Sequence, residues 1–302
     1  MHVQTTLKGG DMSHHIFGGD WTTEKLERVR KYLRAYTTIF ASNEKARRLT
    51  TTYVDAFAGS GSRLASKTHG SSVLGFDELI EPDNQAFLKG SARIALEVEP
   101  AFRQYLFIEK APERVQELER LKHDFPNKAS RITIEQADAN SYLARWCDSV
   151  DWRHNRAVVF LDPYGMQVDW NVIQAIGQTR AIDMWMLFPL GMGVNRLLTR
   201  REPPPTEWAG ALTRIFGTDS WQDAFYPTRT VRTLFGEEEH RDKQADFEAI
   251  GRFFVERLKT VFAAVAESPL LLRNSKNSPL YMLCFAAENP TALKIARDVL
   301  RR

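Results

Sequence analysis

Thr52-Tyr-Val-Asp-Ala-Phe-Ala-Gly-Ser-Gly-Ser62 is the stretch whose reading decides the fold. Tyr53 and Val54 suit a buried strand, which ends in a carboxylate at Asp55. The chain then falls into small residues, Ala58, Gly59, Ser60, Gly61 and Ser62. A strand that runs into Gly-x-Gly can turn tightly and lets a ligand approach the main chain with no Cβ in the way. The third glycine of the dinucleotide fingerprint is missing, and Asp55 would repel a pyrophosphate at close range. No Gly-Lys-Ser/Thr follows, which excludes a phosphate-cradling P-loop. An acid ahead of the glycines suits a ligand with a positive ammonium group.

The same pattern repeats downstream. A second strand at Tyr105–Ile108 ends on Glu109, where doubly wound sheets place an acid against a ribose diol. A third, Arg131–Ile134, leads to Asp138-Ala-Asn140, with Asp138 placed to accept from an adenine amino group. The strongest apolar run, Ala157–Leu161, delivers Asp162-Pro163-Tyr164-Gly165, and a fifth strand at Asp183–Phe188 is stopped by Pro189. Between them run helical patterns. Ala111-Pro112 opens one with Val115, Leu118, Leu121 and Phe125 on one face, Leu143 and Trp146 mark another, and Asp169 is the expected N-cap of a third. Acids thus follow four successive strands, at Asp55, Glu109, Asp138 and Asp162, on the carboxyl edge where open α/β sheets bind ligands. One such acid is ordinary loop solvation. The ordered set fits S-adenosylmethionine, with Asp55 at its amino-acid end, Glu109 at its ribose and Asp138 at its adenine.

After Pro189 the alternation breaks. Residues 190–245 carry Gly191-Met-Gly193, an Arg196/Arg200/Arg201 cluster, Pro203–Pro205, Trp208, Trp221 and Tyr226, and read as an inserted cap that shapes a substrate pocket or meets a partner. From Arg196 to Lys243 there are eight basic residues and eight acids, so the cap is no obvious nucleic-acid grip. Asp246–Glu267 reads as one amphipathic helix, Leu270–Leu272 and Tyr281–Phe285 as a hairpin, and Asn289-Pro290 as the entry to a last helix. An antiparallel hairpin that closes an otherwise parallel sheet predicts an α/β, Rossmann-like class I methyltransferase fold. Its Rossmann domain spans 51–189 and 246–302. Residues 63–89 lack periodicity and read as an insertion, with Gly90-Ser91 opening a short helix.

Ahead of the Rossmann domain, residues 1–20 read as a mobile lead-in, where His14-His15 has no third ligand nearby and no metal site is expected. Residues 21–50 form a helical extension with eight basic residues against three acids. That excess suits either a solvated helix face or a docking surface for a phosphate backbone of RNA or DNA. The whole 302-residue chain has a net charge of only +3, unlike a histone-type polycation. Cys147 and Cys284 stand far apart, which excludes a zinc or iron–sulfur site built from cysteines within the chain. With no apolar run near membrane-span length and no signal-peptide pattern, the expected setting is the cytoplasm.

Asp162-Pro163-Tyr164-Gly165 carries the candidate chemistry. Methylating the exocyclic amine of a base needs acceptors for its N–H groups, so that the nitrogen lone pair faces the methyl donor. The Asp162 carboxylate and Pro163 carbonyl supply two, and Tyr164 can stack on an extracted base. The motif resembles the Asp-Pro-Pro-Tyr of amino-directed DNA and RNA methyltransferases without its second proline, and more closely the Asp-Pro-Phe/Tyr-Gly of tRNA guanine-N2 methyltransferases. An ordinary strand-to-turn Asp-Pro pair is the plainer reading.

Several linked motifs fall in order: Trp21-Thr-x-x-Lys25-Leu26, Tyr32-Leu33-x-Ala35-Tyr36, Tyr53-Val-Asp55-x-Phe57-Ala-Gly59-x-Gly61, Gly90-Ser91, Phe107-Ile-Glu109, Asp138-Ala-Asn140 and Leu161-Asp-Pro-Tyr-Gly-Met166. Together they resemble the three-Cys-motif partner protein family, from about Trp21 through Pro189 and again from Leu280. The resemblance implies a bacterial methyltransferase-like Rossmann domain and a partner protein with a three-cysteine, radical-S-adenosylmethionine-like motif. The expected cofactor set is then Asp55, Phe57, Ala58, Gly59, Gly61, Glu109, Asp138 and Ala139. An N-methyltransferase on a nucleic-acid base and a weakly catalytic partner protein are the two functions to separate. A nuclease-like role, with the acids as metal ligands, fits less well because the glycines match a cofactor loop.

Overall fold

A computed structural model describes residues 20–58, 83–163, 165–233 and 236–301. The lead-in up to residue 19, Gly59, Gly61, residues 63–82 of the expected insertion, and Tyr164 lie outside the described residues.

The chain opens with a long helix, α1 (Asp20–Ser42), and a single 3-10 turn (Ala46–Arg48) before β1 (Thr50–Asp55). There follow α2 (Asp83–Glu97), β2 (Gln104–Glu109), α3 (Pro112–Asp124), β3 (Ile132–Gln136), α4 (Ala139–Ser149), β4 (Asn155–Leu161), α5 (Trp170–Gln178) and β5 (Ile182–Phe188). A π-turn at Leu190–Val194 leads through α6 (Asn195–Leu197), α7 (Thr206–Phe216), α8 (Trp221–Phe225) and a small hairpin, β6 (Arg229–Thr233) with β7 (Gly236–His240). The chain returns through α9 (Phe247–Lys259), β8 (Ala264–Val265), β9 (Leu270–Arg273), β10 (Pro279–Ala287) and α10 (Pro290–Arg301).

The main sheet has the order β3-β2-β1-β4-β5-β10-β8, with β9 also paired to β10. Strands β1 to β5 are mutually parallel where they pair, and β10 runs antiparallel to β5, β8 and β9. Setting β9 aside, β8 and β10 are the sixth and seventh strands. The order is then 3-2-1-4-5-7-6 with only the seventh reversed, the class I methyltransferase arrangement expected from the sequence.

Because side chains alternate along a strand, each strand feeds two cores. Val54, Val159, Leu161, Met184 and Met186 face α4, α5 and α9. Tyr53, Val158, Phe160, Trp185 and Leu187 face α1, α2, α3 and α10. The segment between β5 and α9 packs into the first core: Phe216 of α7 lies edge-on to Phe225 and Phe253, and Phe188 stacks on Phe254 at 4.0 Å between ring centroids. Gly217 ends α7 with φ +66°, and a Cβ there would stand 2.0 Å from the Trp170 ring. Only glycine allows both the turn and that approach.

Two boundaries and one cap differ from the sequence reading. Helix α2 begins at Asp83, so part of the 63–89 stretch is helical and Gly90 lies inside the helix. A Cβ on Gly90 would meet Leu26 Cδ1 at 2.9 Å, so close helix packing accounts for the glycine there. Helix α9 stops at Lys259, with Thr260 N–H turned to the Arg257 carbonyl in a tighter turn. Ala264–Val265, which continued the apolar spacing by coincidence, is instead the strand beside β10. Asp169 holds the N-cap position of α5 but its side chain makes no capping bond; it faces Arg214 Nε at 3.7 Å. No helix among the described residues is long and apolar enough to cross a membrane.

Candidate functional site

β1 lies between β2 and β4, with Asp55 level with Phe107 on one side and Phe160 on the other. The ladder runs on past the strand end, since Ala56 N–H donates to the Phe160 carbonyl and Ala58 N–H to that of Ile108. This holds the start of the glycine loop at the sheet's carboxyl edge. Phe57 and Ala58, two of the expected cofactor residues, are buried there.

Asp55 and Asp162 end adjacent strands and face the same side, following Tyr53 and Phe160 at two-residue spacing. Asp55 is 1% exposed; Ser91 of α2 donates its hydroxyl hydrogen to Oδ2 at 2.6 Å. Oδ1 is buried and makes no well-formed hydrogen bond among the described residues, though the Phe57 N–H and the Tyr53 hydroxyl lie close to the carboxylate. Burial pushes the Asp55 pKa up to about 7; the Ser91 hydroxyl and the Phe57 N–H oppose this, and the negative charges of Asp162 and Glu109 add to it.

Asp162 is also buried, and Lys25 Nζ of α1 stands 3.4 Å from its Oδ2. Burial raises the Asp162 pKa and the lysine charge holds it down. For Lys25 the balance is reversed, with burial lowering its pKa to about 8 against the pull of Asp162. Tyr53 is held well above the usual phenol range by burial first, and then by both carboxylates.

Glu109 is buried at the end of β2 and turns back on its own loop, where Oε1 accepts from Ala111 N–H at 2.7 Å. Asp138 is exposed and caps α4: Oδ1 accepts from the Ser141 N–H and hydroxyl, both at 3.1 Å, and Oδ2 takes no part in these bonds. Ala139 behind it is buried. Asn140 ties this helix start to the loop after β4, donating from Nδ2 to the Gln167 carbonyl at 2.8 Å and accepting from Asp169 N–H at 3.0 Å. Pro163 is buried, and Gly165 turns the chain with φ +65°.

The four acids therefore stand along one edge in strand order, with Asp55 and Asp162 on neighbouring strands. The sequence reading overlooked Ser91 and Lys25 as members of the site. A signal was present: Lys25 shares a helical stripe with Val29, Tyr32 and Tyr36, and Ser91 with Ala95. Among the described residues no group of three His, Cys, Asp or Glu is placed to hold a metal ion.

The buried Asp55 carboxylate, with one oxygen short of a well-formed hydrogen bond and a sequence of small residues following it, fits the ammonium of an amino-acid-bearing cofactor.

Comparison with known proteins finds no matching family model and no matching curated protein. Solved structures give weak likenesses. Protein LPL1258 from Legionella pneumophila str. Philadelphia 1 aligns over 95% of this chain and 92% of its own, at 12% identity and a TM-score of 0.45. Spermidine synthase from Thermotoga maritima aligns over 92% of this chain at 9% identity and a TM-score of 0.41. A spermidine synthase bound to the transition-state analogue AdoDATO gives 10% identity over 92% of this chain, at a TM-score of 0.44. The chain spans 62% and 64% of those two synthases, respectively. At such scores the fold assignment rests on the strand order.

Proposed function

We propose that the chain is an S-adenosylmethionine-dependent N-methyltransferase acting on a nucleic-acid base. The observation that carries this reading is the pair of buried carboxylates, Asp55 and Asp162, ending adjacent strands β1 and β4 of a class I methyltransferase sheet. When bound, S-adenosylmethionine supplies an electrophilic methyl group. Asp55 would hold its ammonium, Glu109 its ribose hydroxyls, and Asp138 with Ala139 its adenine, while Phe57, Ala58, Gly59 and Gly61 form the cradle.

Asp162 would accept one N–H of the acceptor amine and the Pro163 carbonyl the other, leaving the nitrogen lone pair free. Tyr164 would stack on the base. The protein's part is positioning, because the methyl donor is already strongly activated. The test is radiolabelled methyl transfer to total tRNA, rRNA and DNA, with cofactor binding followed by calorimetry. Asp162→Asn is expected to lose transfer by a factor of about 100 or more while cofactor affinity stays within about threefold. Bound cofactor without any transfer by the wild-type chain would sink the reading.

A second reading draws on the resemblance to three-Cys-motif partner proteins. In it the chain works in the bacterial cytoplasm beside a three-cysteine protein. The outer side of α1 and the following turn offer a surface, since Lys31, Arg34, Lys45, Arg47 and Arg48 are exposed. Co-purification with the product of a neighbouring gene tests it; a chain that is monomeric and fully active alone removes the need for a partner.

A further inference from the structure

Lys25 is the third group of the buried edge, and α1 brings it there. It is 1% exposed, although its stripe continues through the core residues Val29, Tyr32 and Tyr36. Arg28, on the next turn of the helix, is tied down twice. It donates to the Val299 carbonyl of α10 and to the Glu24 carboxylate, both at 2.8 Å. This clamps α1 against α10 close to where Lys25 enters the core.

An apolar side chain would satisfy such a position. Burying both members of an ion pair costs desolvation that their attraction seldom more than offsets, so the pair does little for folding that packed apolar groups would not. Among the described residues, the titratable groups facing the Lys25–Asp162 pair are Asp55 and Tyr53 of β1. Ser91 of α2 is bonded to Asp55, and the charge of Glu109 on β2 also reaches Asp55.

We propose that Lys25 is a positioning residue for the acceptor site: its ammonium keeps Asp162 a carboxylate and engages Oδ2, leaving Oδ1 to meet the incoming N–H. The proposal deepens the methyltransferase reading and rests on its assignment of Asp162. A carboxyl buried without a cation takes up a proton, and a protonated Asp162 would offer a donor where the amine also offers donors. The helical extension thereby becomes part of the reaction centre through its inner face, whatever its outer basic face binds.

The test combines carbon-13 NMR titration of the aspartate carboxyls in the full chain with methyl transfer and cofactor calorimetry. The Asp162 signal is assigned by its loss in Asp162→Asn. In Lys25→Met the Asp162 midpoint is expected to rise by about one pH unit or more. Transfer falls about tenfold at one pH unit below the variant's Asp162 midpoint and recovers as pH is raised through it, and cofactor affinity holds within about threefold. Lys25→Gln, which keeps an N–H donor without the charge, gives the same titration shift and serves if the methionine variant does not fold. Lys25→Arg restores most of the transfer.

An unmoved Asp162 midpoint in either folded neutral variant overturns the proposal. So does a neutral variant with wild-type transfer at every pH. If the wild-type chain binds cofactor but transfers nothing, the methyltransferase reading falls. The carbon titration then still decides whether Lys25 sets the charge on Asp162.

Discussion

Ser91 donates its hydroxyl hydrogen to Asp55 Oδ2 at 2.6 Å, and this contact joins helix α2 to the end of β1 at the centre of the sheet. It satisfies one oxygen of a carboxylate that is 1% exposed, while the other oxygen makes no well-formed hydrogen bond among the described residues. A group buried in that half-satisfied state is a cost to folding that a ligand can relieve.

Asp55→Asn should therefore separate stability from binding. The amide keeps an acceptor for Ser91 and removes a charge whose pKa burial has pushed up to about 7. Thermal or urea unfolding at pH 7.5 is expected to show a fold more stable by about 1–3 kcal/mol, while calorimetry shows cofactor affinity reduced tenfold or more. If the Asp55→Asn variant binds S-adenosylmethionine like the wild type, Asp55 is removed from the ammonium site.

The same carboxyls set the pH dependence of stability. Asp55, at about 7, and Asp183, raised to about 6 by burial against the Tyr32 hydroxyl bond, both titrate above the ordinary value of 3.8 when folded. From about pH 4 to pH 7 the folded chain thus holds protons that the unfolded chain has released, so stability falls as pH rises. Lys25, lowered to about 8, acts oppositely between there and its ordinary 10.5, because the unfolded chain then binds the extra proton. The thiol of Cys147, pushed up to about 12 by burial, and the buried tyrosines oppose it in that range. Denaturant midpoints measured across pH 4–7 check the acid side, and Asp55→Asn should flatten the slope. A slope unchanged by that substitution would show that Asp55 titrates normally.

Two helix starts that look alike in sequence should respond differently. Asp246 caps α9 through Ala249 N–H at 2.8 Å, whereas Asp169 makes no side-chain cap bond at α5. Asp246→Ala is expected to cost about 1 kcal/mol in urea unfolding and Asp169→Ala only a few tenths. Equal losses would mean that Asp169 caps its helix in solution.

Four of the five parallel strands were legible as short apolar runs bounded by an acid or a proline, which suit a sheet buried on both faces, while the half-exposed edge strand β3 was read from Ile132-Thr-Ile134. The positions of Asp55, Glu109, Asp138 and Asp162 followed directly, since a residue after a strand's apolar core must lie at its carboxyl end. Helix limits were less legible. Val261 and Val265 fit the period of α9, and only pairing with β10 turns Ala264–Val265 into a strand. Gly90 resembled a helix opener until the approach of Leu26 accounted for it.

What the sequence by itself determined is the stretch from Tyr53 to Asp55 as a strand entering a small-residue loop, and the order of acids along the edge. These rest on local patterns of hydrophobicity and chain stiffness. Tertiary structure alone decided that Ser91 and Lys25, from two different helices, meet Asp55 and Asp162 out of water. In a linear chain a lysine on an amphipathic helix is simply one of its charges. Whether that charge is solvated or neutralises a buried carboxylate depends on which helix face the sheet covers, a consequence of packing between segments far apart in sequence.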